Sequence, residues 1–241
     1  MLSISLRLIV PTILGLTLVL GGVVKADPIY DLAGDFSLRS NPNGVWTYGY
    51  STTLGGSLTN FDITANPSGL DQRKTSFNTY LGVYHNPTNS AINFAGAVFG
   101  PNEAGAHPGP GGQYSIFRFT VQADGIYQVD TAFTGLELVG TTTDVHVLTN
   151  GISVFDGTVN GYGNGSRASY SHALNLIAGD RIDFVVGDGG NGYSSDTTGV
   201  AATIRTSAVP EPASLVMLGV GAAGLLSCSR RHRAKASSNT A

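Results

Sequence analysis

Three aromatic residues, Trp46, Tyr48 and Tyr50, occupy every second position of one short segment. Alternate residues of a β-strand point to the same face of a sheet, so the spacing predicts a row of three rings. Such a row can act as a platform for sugar rings, whose C–H faces pack on aromatic surfaces. It can equally belong to a hydrophobic core, because a β-sandwich needs large inward side chains and this chain has a single tryptophan. The sequence leaves both interpretations open.

Oxygen-bearing side chains are concentrated in the glycine-rich segment 187–199. Asp188, Asn191 and Asp196 offer carboxylate and amide oxygens, the ligands that calcium prefers. Their spacing does not match an EF-hand loop, so a calcium site and a metal-free loop are both open. No other cofactor is expected.

Residues with catalytic potential are sparse between positions 27 and 208. The one cysteine, Cys228, lies beyond this region, and no G-x-S-x-G motif marks a serine nucleophile. A glycosidase needs two carboxyl groups across a cleft, and nothing in the sequence pairs the two glutamates, Glu103 and Glu137. We therefore predict a non-catalytic protein, with a small secreted glycan hydrolase as the alternative.

The charge of this region excludes one large class of partner. Residues 27–208 contain 15 acidic and seven basic residues, a formal net charge of −8. Binding to nucleic acid needs clustered Lys and Arg that displace counterions from phosphates. We expect no nucleic-acid partner.

Strand signals dominate the same region, and none of its segments shows sustained helical spacing. Residues 126–133 alternate so that Tyr127, Val129 and Phe133 share one face. The Asn150-Gly151 pair, between apolar segments 144–148 and 152–155, predicts a tight hairpin. Further strands are predicted near Phe36 and at 46–50, 57–63, 80–84, 117–121, 181–186 and 200–204. The prediction is an all-β fold with one jelly-roll-like β-sandwich over residues 27–207.

Four segments together resemble a module of exported bacterial proteins whose fold is similar to the galactose-binding-like jelly rolls. They are residues 35–37, 41–50, 107–109 and 178–199. The resemblance implies a β-sandwich and binding to carbohydrate or extracellular matrix. It implies no catalytic residues.

The first 26 residues have the composition of a secretory signal peptide. Arg7 precedes an apolar run, and small residues flank Lys25 at a cleavage site after Ala26. A retained membrane anchor is the alternative, but Pro11 interrupts the run. Signal peptidase is thus an expected partner.

The C-terminal residues 208–235 form a second targeting signal. Pro210, Glu211 and Pro212 precede an apolar stretch at 213–228, predicted to be helical, and then a basic cluster of Arg230, Arg231 and Arg233. This arrangement resembles the PEP-CTERM sorting signal, and residues 236–241 are expected to be a disordered tail. The apolar stretch is shorter than the roughly 20 residues that span a bilayer comfortably, so we expect its insertion into the inner membrane to be transient. The resemblance implies processing by an exosortase. It also implies delivery to the envelope, surface or polysaccharide matrix of a Gram-negative bacterium. The alternative is a simple tail anchor.

Overall fold

The computed structural model describes residues 28–78 and 80–207. The predicted signal peptide, the sorting signal with its apolar helix and the C-terminal tail lie outside the described residues. Within the described ranges no helix is long and apolar enough to cross a membrane.

Sixteen β-strands and one short 3₁₀ turn (Pro67–Gly69) make up the described chain. In chain order the strands are β1 (Ile29–Asp31), β2 (Trp46–Ser51), β3 (Thr59–Asn60), β4 (Ile63–Ala65), β5 (Asp71–Lys74), β6 (Gly82–His85), β7 (Ile92–Phe94), β8 (Ala97–Phe99), β9 (Ala104–His107), β10 (Tyr114–Thr120), β11 (Gly125–Gly135), β12 (Thr141–Thr149), β13 (Ile152–Gly161), β14 (Gly163–Leu176), β15 (Arg181–Val186) and β16 (Thr198–Ser207). The predicted all-β class is confirmed.

Two sheets pack face to face as a β-sandwich. The larger sheet has eight strands in the order β14-β11-β16-β9-β6-β5-β4, with β1 also paired to β16. The smaller sheet has six strands in the order β13-β12-β15-β10-β2-β3, and β7 and β8 form a separate hairpin. Every strand pair is antiparallel.

The core lies between the two sheets and follows the alternation of the sequence. Tyr127, Val129 and Phe133 of β11 are buried against Phe117 and Phe119 of β10. Burial of each large apolar side chain contributes about 1.5–3 kcal/mol. The period-two pattern of residues 126–133 therefore specifies which face of β11 points inward.

The predicted hairpin at Asn150-Gly151 is present. Thr149 pairs with Ile152, so β12 and β13 are joined by a two-residue turn. Asn150 has φ of 52° and Gly151 has φ of 83°, which are the positive values that a tight hairpin turn requires. This turn was readable from two residues alone.

The first part of the chain differs from the predicted strands in two places. Phe36 lies in no strand, and the predicted strand at 57–63 is divided between β3 and β4. Side chains hold this irregular backbone in place. The Asn41 amide donates to the carbonyl oxygens of Tyr48 (2.7 Å) and Phe61 (3.1 Å) and accepts from the Tyr48 amide (2.9 Å). Hydrogen bonds from the Asn41 side chain thus replace backbone hydrogen bonds between strands in this region.

The two ends of the described chain lie side by side. In the pairing of β1 with β16, Ile29 is opposite Arg205. The Thr206 amide also donates to the carbonyl oxygen of Pro28 (3.3 Å). Residues 28 and 207 are therefore at the same end of the larger sheet.

Candidate functional site

The aromatic row predicted as a ligand platform is part of the core. Trp46 is 1% exposed and Tyr48 is fully buried, with Trp46 packed edge-on against Phe119 at 5.4 Å between ring centroids. Tyr50 is half-buried and stacks on Phe61. Trp46 and Tyr48 therefore follow the core interpretation, because β2 lies inside the smaller sheet and turns these two rings toward the larger one.

Two of the three residues proposed as calcium ligands, Asn191 and Asp196, are both hydrogen-bonded to the Thr142 hydroxyl. Asp196 is fully buried, and its Oδ1 accepts hydrogen bonds from the Thr142 amide (3.1 Å) and hydroxyl (3.2 Å). Asp188 is half-buried and Asn191 is exposed on the glycine-rich loop. Within residues 28–78 and 80–207, no three or more His, Cys, Asp or Glu side chains are grouped as a metal site. Calcium binding remains a prediction.

The glycine-rich loop between β15 and β16 is tied to β12. The Asp144 carboxylate accepts from the Gly189 amide (2.8 Å), and the Gly187 amide donates to the Asp144 carbonyl oxygen (2.9 Å). His146 lies between the carboxylates of Asp144 (2.9 Å) and Asp156 (2.6 Å). Burial lowers the pKa of His146, but its hydrogen bonds to the two carboxylates outweigh burial and raise the pKa above its usual value. These contacts hold one end of the loop in place.

The other end of this loop lines a cleft of about 240 Å³. The cleft opens where the loop meets the β7–β8 hairpin, the start of β6 and the end of β9. Its lining residues are Tyr80, Tyr84, Phe94, Ala95, Phe99, His107, Glu137, Tyr193, Ser194, Ser195 and Thr197.

Aromatic rings form most of the cleft walls. Tyr80, His107 and Tyr193 make one group, with ring centroids 5.7 to 6.3 Å apart. Tyr84 packs against Phe94 (6.3 Å) and Phe99 (5.8 Å) in a second group. Tyr80 is 45% exposed, so part of this aromatic surface is open to solvent.

A glutamate lies among these rings. Glu137 is 4% exposed, and its Oε1 accepts a hydrogen bond from the Thr197 hydroxyl (2.5 Å). Burial raises the pKa of Glu137, and the bond from Thr197 acts in the opposite direction. The other oxygen, Oε2, lies beside Gly96, where a β-carbon would come within 2.8 Å and where φ is +100°. Glycine at position 96 therefore allows the hairpin to approach the carboxylate.

His107 contributes a second hydrogen-bond acceptor to the cleft. It is 6% exposed, and its Nδ1 lies 2.7 Å from the carbonyl oxygen of Pro108. A carbonyl oxygen can only accept, so Nδ1 carries the proton. Burial also lowers the pKa of His107, which favours the neutral ring and leaves Nε2 as an acceptor.

No local pattern in the sequence predicts this cleft. The sequence predicts no partner for Glu137, and it assigns the segments that contain Tyr80 and Tyr193 only to a strand and a glycine-rich loop. The lining comes from segments near residues 80, 94, 107, 137 and 193, which only the fold brings together. Two of the segments that carry the jelly-roll resemblance, 107–109 and 178–199, do contribute to it.

Comparisons with known proteins identify the C-terminal segment. Residues 208–231 match the family model of the PEP-CTERM protein-sorting motif. The chain carries a PEP-CTERM sorting motif. The predicted resemblance is therefore confirmed, and the motif indicates an exported protein. Pro210, Glu211, Pro212 and the arginines at 230 and 231 fall inside the match. Arg233 lies beyond it.

The β-sandwich is similar to several solved structures at low identity. A CBM51 from Clostridium perfringens GH95 in complex with methyl-galactose is 16% identical, with a TM-score of 0.36, and covers 53% of this chain and 90% of its own. Rabbit GITRL is 12% identical, with a TM-score of 0.27, over 39% and 74% of the two chains. A family 35 carbohydrate-binding module from Clostridium thermocellum is 11% identical, with a TM-score of 0.29, over 60% and 92%. No curated protein matches the chain. Similarities of this size give no information on the cleft.

Proposed function

We propose that this exported protein binds carbohydrate non-catalytically, through the cleft between the glycine-rich loop and the β7–β8 hairpin. The observation that supports the proposal is the chemistry of the lining. Aromatic rings that pack on the C–H faces of sugars stand beside acceptors and hydroxyls that can bind sugar hydroxyl groups. A pocket that is largely aromatic with a few convergent polar groups is the usual form of a small-ligand site.

A non-catalytic role fits the lining better than the hydrolase alternative. A glycosidase places two carboxyl groups roughly 5 to 9.5 Å apart on either side of the scissile bond. Among the described residues that line the cleft, Glu137 is the one acidic side chain. The nearby Asp196 is fully buried and is not part of the lining. Release of soluble sugar from a retained polysaccharide would contradict this part of the proposal.

Replacement of Tyr193 by alanine tests the site directly. Loss of one stacking ring is expected to weaken retention on a bound polysaccharide about tenfold, which corresponds to about 1.4 kcal/mol. The measurement is affinity electrophoresis or pull-down of the full-length protein on a panel of soluble and insoluble polysaccharides. Tyr162→Ala is the matched control, because Tyr162 is 47% exposed on the β13–β14 turn and lies outside the lining. Equal losses in both variants, or none in Tyr193→Ala, would argue against the cleft.

The details of export are also proposals. We propose cleavage after Ala26 by signal peptidase, transient insertion of residues 213–228 into the inner membrane, and removal of the tail near Pro210–Pro212 by an exosortase. The destination would be the envelope or polysaccharide matrix of a Gram-negative bacterium. The motif match over 208–231 supports processing by an exosortase. Mass spectrometry of the protein recovered from its producing cells would locate both cleavage points, and an intact tail would indicate a permanent anchor instead.

A further inference from the structure

The cleft offers hydrogen-bond acceptors, which suit a ligand that donates hydrogen bonds. The Glu137 carboxylate and Nε2 of His107 act as acceptors, as the geometry of each side chain requires. The hydroxyls of Tyr80, Tyr193, Ser194 and Ser195 can act either way. Among the lining residues that the structure describes there is no lysine or arginine. A ligand with a carboxylate or sulfate group therefore finds no charged partner here.

The aromatic walls favour a positive charge for a second reason. The face of an aromatic ring carries partial negative charge and attracts a cation within about 6 Å of the ring centre. Tyr84 packs with Phe94 and Phe99 on one side of the cleft, and Tyr80 with Tyr193 on the other. A small cation that enters the cleft is thus within reach of several rings and of one carboxylate.

The environment of the Glu137 carboxylate also favours a positively charged ligand. Its Oε1 accepts a hydrogen bond from the Thr197 hydroxyl, and its Oε2 lies beside Gly96, which has no side chain. A carboxylate that is almost fully removed from water is costly to keep ionised unless an opposite charge compensates it. A neutral hydroxyl gives only a hydrogen bond, whereas an ammonium group gives both the bond and the charge. The net charge of −8 over residues 27–208 adds a favourable long-range field.

We propose that the cleft selects sugars that carry a free, protonated amino group, with the ammonium bound by Glu137 among the rings of Tyr80, Tyr84 and Tyr193. This inference rests on the proposed carbohydrate binding and narrows its ligand to de-N-acetylated amino sugars.

The test compares three oligosaccharides of equal length, made of glucosamine, N-acetylglucosamine or glucose. Titration calorimetry of the full-length protein in mild detergent should show binding of the glucosamine oligomer at least about tenfold tighter than of the other two. The preference should decrease at high salt, and it should disappear when the pH is raised until the sugar amine is neutral.

Replacement of two glutamates, one inside and one outside the cleft, tests whether Glu137 causes the preference for glucosamine. Glu137→Gln keeps an acceptor for Thr197 but removes the charge, and it should abolish the preference for glucosamine. Glu103→Gln is the control, because burial also raises the pKa of Glu103, its Oε2 accepts from the Gly100 amide (2.6 Å), and it lies outside the cleft. The control should retain the full preference. Unchanged melting temperatures would show that both variants fold.

The possible results separate this inference from the proposed function. Equal binding of the three oligomers, or tighter binding of an uncharged one, would overturn the amino-sugar inference and leave carbohydrate binding intact. The same holds if none of the three binds while another polysaccharide retains the protein through Tyr193. Retention on no polysaccharide at all would overturn both proposals.

Discussion

Replacement of Arg118 by alanine is expected to destabilise the fold by about 3–5 kcal/mol. Arg118 on β10 lies directly opposite Asp183 on β15. Its Nε and one terminal nitrogen bind the two carboxylate oxygens at 2.6 and 2.8 Å. The Asp183 side chain is 3% exposed, so removal of the guanidinium leaves a negative charge buried without compensation.

The chain offers a matched control for this ion pair. Arg205 and Asp130 are also joined at 2.6 Å, but their side chains are 51% and 36% exposed. Because water solvates and screens these charges, Arg205→Ala is expected to cost less than about 1 kcal/mol. Urea denaturation of the two variants measures both values. Similar costs would mean that burial of Asp183 does not decide the strength of the pair. The double replacement Arg118→Met with Asp183→Leu should recover most of the loss.

Replacement of Asp196 by asparagine is expected to stabilise the protein at neutral pH. Burial raises the pKa of the Asp196 carboxyl from 3.8 to about 6, and the charges of Asp188 and Glu137 add to the effect. Hydrogen bonds from Thr142 oppose it but do not cancel it. A difference of about two pKa units corresponds to about 3 kcal/mol that the ionised form costs the folded state. Asparagine keeps an acceptor for Thr142 and removes the charge.

The pH dependence follows from the direction of this shift. A carboxyl whose pKa is higher in the folded state binds its proton more tightly there. The contribution of Asp196 to stability is therefore most favourable below about pH 4 and is lost as the pH rises through about 6. The gain from Asp196→Asn should accordingly be largest above about pH 7 and small near pH 4. Thermal melting at several pH values measures it. A variant that is less stable than the parent protein at neutral pH would contradict the argument.

The same experiment bears on the predicted calcium site. Oδ2 of Asp196 is buried without a partner among the described residues. If calcium binds there, chelator should lower the melting temperature of the parent protein but not of Asp196→Asn. A melting temperature unchanged by chelator would remove Asp188, Asn191 and Asp196 from consideration as calcium ligands.

The sequence predicted the fold well wherever local patterns decide it. Alternation at 126–133 and the Asn150-Gly151 pair specified an inward face and a turn, because each depends on neighbouring residues only. β14 escaped prediction because its 14 residues are mainly Gly, Ser, Asn and Ala, with few apolar side chains to reveal a strand. Trp46 and Tyr48 show a different difficulty. Aromatic side chains suit both a core and a sugar-binding surface, and their spacing does not tell which way a strand faces.

The cleft could not be predicted from local patterns, because contacts between distant parts of the chain position its residues. Glu137 sits in its position through an isolated bridge between residues 97 and 137, and the Val98 amide donates to the Leu136 carbonyl oxygen (2.9 Å). The loop that carries Tyr193 depends on contacts from β12, about 50 positions away in the chain. Neither of these long-range contacts produces a recognisable pattern in the sequence.

Residues 28 and 207 lie at the same end of the larger sheet, and this position determines where the cleft lies relative to both chain ends. β16 starts next to Thr197 of the cleft and ends at residue 207, where the chain continues toward its sorting motif. Ten extended residues span about 30 Å, so the cleft lies at the far end of the sandwich from that exit. Any copy held by its C-terminal side thus presents its cleft away from the holding surface. If the cleft binds carbohydrate as proposed, many copies on one surface would present their sites in the same direction, and a repetitive polymer that contacts several sites would be bound more tightly than by one.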